Sequence, residues 1–136
     1  MILRHLTTID AVPLILQDGF LKGSNNSRPL HTGHVSFVLF NPEMDRTVYK
    51  EAFAQVKNVD IEDVFELFFD GREMMEQGII VSETFICGNK DSKCELFEPF
   101  TRVPLERINE IGDYRYVYGN VSLNFLKDEC RREIYG

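Results

Sequence analysis

The chain has 136 residues, of which 43% are hydrophobic, enough for one core and too few for two ordinary domains, so residues 1–136 read as a single domain. Its 22 acidic against 15 basic residues give a formal charge of −7, which works against nonspecific attraction to phosphate backbones. No apolar run approaches the roughly 20 residues that a membrane crossing needs, and Arg4 interrupts the first apolar stretch, so a soluble, cytoplasmic protein with no membrane partner is expected.

Ile2 to Leu6 alternates as a short strand, with Thr7 and Thr8 placed to cap the next helix. In that helix Ile9, Val12, Ile15 and Leu16 recur at helical spacing. Pro13 falls early enough to be tolerated there, and Gly19 supplies the left-handed residue that ends it. Phe20 and Leu21 resume extended chain before a polar loop over residues 22–29.

His34 to Phe40 is apolar on both faces towards its end, the mark of a strand buried inside a sheet. Asn41-Pro42-Glu43 reads as a helix start, and Val48, Ala52, Phe53 and Val56 supply the buried stripe of a helix reaching about Lys57. Residues 63–70 fit either a helix or a strand. Their aromatic and β-branched content, closed by Gly71, favours the strand.

A short helix over residues 72–77, stopped by Gly78, leads to an expected buried strand at Ile79 to Ser82 and a loop reaching Lys93. Cys94 to Phe97 reads as a strand, Pro99 and Thr101 as a turn, and Pro104 as the first turn of a helix carrying Ile108 and Ile111. Gly119-Asn120 joins residues 114–118 to residues 121–125 as an expected hairpin, and residues 127–135 form a polar terminal helix or tail.

Few residues carry recognisable chemistry. His5 and Thr7 are two apart in a strand and therefore share a face. His31 and His34 have a spacing that metals use, but only Cys87, Cys94 and Cys130 could complete the set and they lack paired spacing, so no metal is expected. The odd cysteine count also argues against a disulfide framework. Ser36 lacks the glycine frame of a hydrolase nucleophile, and no glycine-rich phosphate loop occurs.

Taken in order, these pieces resemble the ADP-ribosyltransferase superfamily. Residues 3–21 are similar to its opening, a strand with His-x-Thr and then a helix ending in Ile-Leu before a glycine and an apolar pair. Phe37 to Pro42 is similar to the aromatic strand that runs into Asn-Pro in the DNA-targeting toxin transferases, although Glu43 and Arg46 stand where those toxins carry an earlier arginine. Residues 65–82 and the segment from Glu95 to Ile108 look like the closing half.

The resemblance implies an α+β fold with a split pair of small antiparallel or mixed sheets and flanking short helices. It implies NAD as the cofactor, with His5 hydrogen-bonding a ribose and Thr7 assisting. It places Glu95 as the catalytic acid on the 2′-hydroxyl of the nicotinamide ribose, with Glu98 as the competing assignment. A carboxylate there makes physical sense, because breaking the bond to nicotinamide develops positive charge on the sugar. Phe37, Phe40 and Tyr49 are the aromatic candidates for stacking on nicotinamide.

The implied activity is transfer of ADP-ribose to a macromolecule, and the acidic balance favours a protein acceptor over nucleic acid. A nucleic-acid acceptor would call for a basic strip near Lys90, Lys93, Arg102 and Arg107. The alternative from another class is a noncatalytic inhibitor that keeps the fold and blocks a basic partner through its acidic surface.

Overall fold

The computed structural model describes residues 1–23, 33–43, 46–81 and 114–135. The expected strand, turn and helix over residues 94–111, the loop before them, the acids Glu95 and Glu98, His31 and the basic group near Lys90 all lie outside the described residues.

Strand β1 (Ile2–Thr8) is an interior strand of a four-stranded sheet. It pairs antiparallel with β4 (Val64–Asp70) on one side and β3 (His34–Leu39) on the other, and β3 pairs antiparallel with β5 (Tyr114–Tyr118), giving the order β4-β1-β3-β5. Residues 64–70 therefore resolve as strand, consistent with their β-branched and aromatic side chains. A second, two-stranded sheet joins β2 (Phe20–Leu21) to β6 (Val121–Ser122).

Several expectations from local sequence differ from what forms: among them, Thr8 makes no side-chain cap bond to the turn that follows it. The residues flanking Gly119-Asn120 do not make a hairpin, because β5 pairs with β3 while β6 pairs with β2, so the turn carries the chain from one sheet to the other. Residues 123–125 then coil into a 3-10 turn capped by Ser122. Ile79 to Val81 form no strand. Ile79 and Val81 pack instead against the main core, with the Ile79 N–H bonded to the Met74 carbonyl.

The helices follow local signals more closely. Helix α1 (Val12–Asp18) begins at a 3-10 turn with Pro13 in its first turn, and it ends at Gly19 with φ of 78°. Helix α2 is Arg46–Lys57; the expected start at Asn41-Pro42-Glu43 lies before it, as a turn in which the Asn41 side chain accepts from the Glu43 N–H at 3.0 Å, and α3 (Gly71–Glu76) is capped by Asp70, whose side chain accepts from the Glu73 N–H at 3.0 Å. The terminal segment is helical as α4 (Asp128–Tyr135), with Cys130 buried as a free thiol whose pKa burial pushes up. The Lys127 N–H donates to the Phe68 carbonyl, and Leu126 bridges Phe69, so the chain before α4 covers part of the outer edge of β4.

Each antiparallel register in the large sheet pairs odd with odd and even with even residues, so one parity marks one face. The odd face presents Leu3, Val35, Phe37, Leu67, Phe69 and Val117 to a core completed by Leu21, Val121, Leu123 and Met74. On the even face Leu6, Val38 and Val64 pack with Tyr49, Ala52 and Ala54 of α2. Among the described residues no helix is long and apolar enough to cross a membrane.

Candidate functional site

His5 and Thr7 both fall on the odd face, in the middle of the central strand. His5 is opposite Leu67 on β4, and continuing the β1–β3 register puts Phe37 on its other side. The His5 and Phe37 rings meet edge to face with centroids 5.8 Å apart. Phe37 in turn meets Phe69 edge to face at 5.5 Å, so a row of aromatic side chains fixes the imidazole from below.

The second restraint on His5 is polar. Its Nδ1 lies 2.8 Å from the Ser36 carbonyl oxygen, which can only accept, so Nδ1 carries the hydrogen. In the neutral ring this leaves Nε2 as an acceptor. Desolvation by burial holds the His5 pKa below its ordinary 6.5; the hydrogen bond to Ser36 opposes that shift, and Lys57 adds to it. The ring is therefore neutral at physiological pH, with a defined tautomer and, among the described residues, no hydrogen-bond partner at Nε2. In that form Nε2 is chemically an acceptor of hydrogen bonds.

Thr7 is buried, two residues along the strand from His5 and opposite Phe65. The aromatic candidates are placed differently. Phe37 has no exposed surface, and both of its ring contacts serve the core. Tyr49 stands on the even face, where its ring lies 5.0 Å from the guanidinium carbon of Arg4. Phe40 is partly buried and packs edge to face on Phe68 at 5.1 Å. The structure brings His5, Thr7 and Phe37 together on one face and puts Tyr49 on the other.

Arg4 dominates that other face. It is 1% exposed, lies 3.4 Å from Glu66 across β1 and β4, and is flanked by Tyr49 and by Phe40 at 6.0 Å. Lys50 of α2 approaches the same carboxylate at 3.6 Å. The sequence gives no motif for this group, since an arginine in a strand near the chain start is unremarkable by itself. The parity of Arg4 and Glu66 together with the β1–β4 pairing is the signal that could have found it.

One more charged side chain shares the odd face with His5. Arg115 of β5 is directly opposite Phe37, so His5, Phe37 and Arg115 succeed one another across three strands. Among the described residues no group of three or more His, Cys, Asp or Glu side chains is arranged to hold a metal ion.

No protein-family model matches the sequence, and no curated protein matches it in sequence. Comparison of folds does find similar structures. The chain is similar to DarT of Thermus sp. 2.9 in complex with NAD+, with a TM-score of 0.55, 15% identity and coverage of 98% of this chain and 86% of that one. The carba-NAD+ complex of the same protein gives a TM-score of 0.54 at 14% identity over 98% of this chain and 86% of that one. Its complex with ADP-ribosylated single-stranded DNA gives 0.55 at 15% identity, covering 98% of this chain and 85% of that one.

The resemblance to the DNA-targeting toxin transferases thus holds at the level of fold, an α+β arrangement shared along nearly the whole chain. The expectation of a protein acceptor is overturned by the third complex, in which the modified molecule is single-stranded DNA. The reason is physical. Net charge governs long-range, nonspecific association, whereas a single strand is also held by stacking and local contacts that a total of −7 does not capture.

Proposed function

We propose that this chain is an NAD-dependent ADP-ribosyltransferase whose acceptor is single-stranded nucleic acid. The observation that carries the reading is His5: on the central strand of a fold shared with an NAD-binding transferase, its tautomer is fixed by Ser36 and its remaining lone pair suits a ribose hydroxyl. The neighbour bound to ADP-ribosylated single-stranded DNA supports the choice of acceptor.

In this reading His5, assisted by Thr7, orients a ribose of NAD. Glu95 holds the 2′-hydroxyl of the nicotinamide ribose and stabilises the positive charge that develops as nicotinamide leaves with the bonding electron pair. A nucleophilic atom of the nucleic acid then bonds to the anomeric carbon and gives up its proton. Phe37 acts through His5, as the ring that keeps the imidazole in place.

The test is incubation with NAD labelled in its adenylate part and, separately, a single-stranded oligonucleotide, its duplex and a protein mixture. Label is expected on the single strand, and Glu95→Gln is expected to lower the rate about a hundredfold. Absence of NAD binding by calorimetry, together with unlabelled oligonucleotide, overturns the proposal.

A further inference from the structure

We propose that Tyr118 is a stacking platform for a base of the single-stranded acceptor, set beside the amide donors of Asn120; the inference rests on the acceptor reading above. Tyr118 closes β5, the strand at one end of the sheet order. It is 63% exposed, whereas Tyr116, two residues earlier on the same face, is completely buried. An exposed tyrosine by itself is ordinary. This one differs in that its ring is held in place while most of its surface stays open.

Two contacts hold it. Its register partner His34, 3% exposed, meets the ring edge to face with centroids 5.3 Å apart. Next to His34, Gly33 offers bare backbone: a Cβ there would lie 3.1 Å from Cε2 of Tyr118, so a side chain at that position would push the ring away. Immediately after the tyrosine, the Gly119 N–H donates to the Gly33 carbonyl at 2.7 Å and ties the two segments together. The orientation of the ring is thus set by the fold, which removes much of the ordering cost that a loose side chain would bring to binding.

The amide belongs to the same junction. Gly23 is packed so closely on Gly33 that a Cβ would strike the Gly33 carbonyl oxygen, and the Gly23 N–H donates to Oδ1 of Asn120 at 3.2 Å. That bond uses the amide oxygen. It leaves the NH2 group of the exposed Asn120 with two donors and, among the described residues, no partner.

An open aromatic face beside amide donors suits an unpaired base, which stacks through its face and carries acceptors along its edge. A duplex keeps those faces stacked on one another. Stacking also requires no positive charge on the protein, so it is a contact that a chain of net charge −7 can make with a polyanion. Tyr118 is opposite His34, three residues along β3 from Phe37 and on the even face, roughly 10 Å along the strands and two strand spacings, roughly 10 Å, across from His5. The ring therefore holds a nucleotide other than the one that is modified, and it acts on affinity for the acceptor.

The chain contains no tryptophan, so Tyr118→Trp puts a single indole at the site. The experiment titrates wild type, Tyr118→Ala, Tyr118→Phe, Tyr118→Trp and Asn120→Asp with a mixed-sequence single-stranded oligonucleotide and with an abasic strand of the same length, and measures NAD affinity of each protein by calorimetry. We expect Tyr118→Ala to weaken the oligonucleotide about tenfold and Tyr118→Phe to retain it, with NAD affinity unchanged in both. Asn120→Asp, which keeps an acceptor for Gly23 and loses the donors, is expected to weaken it about fivefold. The indole emission of Tyr118→Trp should be quenched by the oligonucleotide and not by the abasic strand. Oligonucleotide affinity equal to wild type in Tyr118→Ala or in Asn120→Asp, or equal quenching by both strands, overturns the assignment while leaving the transferase reading intact. A parallel loss of NAD affinity in Tyr118→Ala marks a structural role and overturns it as well. Sedimentation showing a wild-type dimer that Tyr118→Ala abolishes, with oligonucleotide affinity unchanged, replaces the base by a second copy of the chain and overturns it too. Wild type that binds no single strand overturns both this assignment and the acceptor reading.

Discussion

The two faces of β1 put similar raw material to opposite uses. On the even face Arg4 is enclosed by Glu66, Tyr49 and Phe40 beneath α2, with its charge matched inside the protein. On the odd face His5, the next residue, is restrained on one nitrogen by Ser36 and supported by Phe37, and among the described residues its second nitrogen has no hydrogen-bond partner. A buried charged residue is thus a structural element where an opposite charge and aromatic rings enclose it from inside. A buried polar residue becomes a candidate for function where packing fixes its orientation without consuming its last polar atom.

The contrast can be broken most severely at the ring below His5. Phe37→Ala removes a fully buried side chain from the main core and should cost about 4 kcal/mol in chemical denaturation, with NAD affinity lost as well if the imidazole is freed. Cutting the even-face pair comes next. Glu66→Ala leaves the Arg4 guanidinium buried beside the aromatic rings and should destabilise by about 3 kcal/mol, whereas NAD affinity in the folded fraction should change little.

His5→Asn sharpens the comparison from the other side. The shorter amide can still donate towards the Ser36 carbonyl but has nothing at the Nε2 position, so NAD affinity should fall about tenfold, measured by calorimetry, with the unfolding midpoint nearly unchanged.

Acid provides a further separation of the faces. Because burial lowers the folded-state pKa of His5 below 6.5, the unfolded chain takes up a proton before the folded chain does. The His5 contribution to stability is therefore intact above about pH 6.5 and declines as pH falls from there towards the lowered folded value. Denaturant midpoints measured across that window should fall in wild type and fall less in His5→Asn. The smallest effect is expected far from both faces. Gly19→Ala should cost about 1 kcal/mol, since φ is 78° and no atom obstructs a methyl group, which leaves backbone strain as the only penalty.

Legibility in the sequence tracked the range of the interactions. The cap at Gly19, the early Pro13 and the strand character of residues 64–70 are local consequences of one or a few side chains and are readable in order. The pairing around Gly119-Asn120 is not, because a turn signal specifies a change of direction and says nothing about which strands lie alongside. The common face of His5 and Thr7 comes from the two-residue period alone. Arg115 carries no such local sign, because only the β3–β5 register brings it beside Phe37, and the acceptor is misjudged from composition because a summed charge has no position.

By itself the sequence determined where chain direction changes, which residues share a strand face, and that His5 and Thr7 face the same way, since backbone sterics and side-chain periodicity act over a few residues. Only the tertiary structure decided that the odd face of β1 carries a histidine held at Nδ1 by Ser36 while the even face closes on an ion pair. Those choices depend on pairing residues dozens of positions apart, as Arg4 with Glu66 and Phe37 with Arg115, and on the burial that fixes the protonation state of His5.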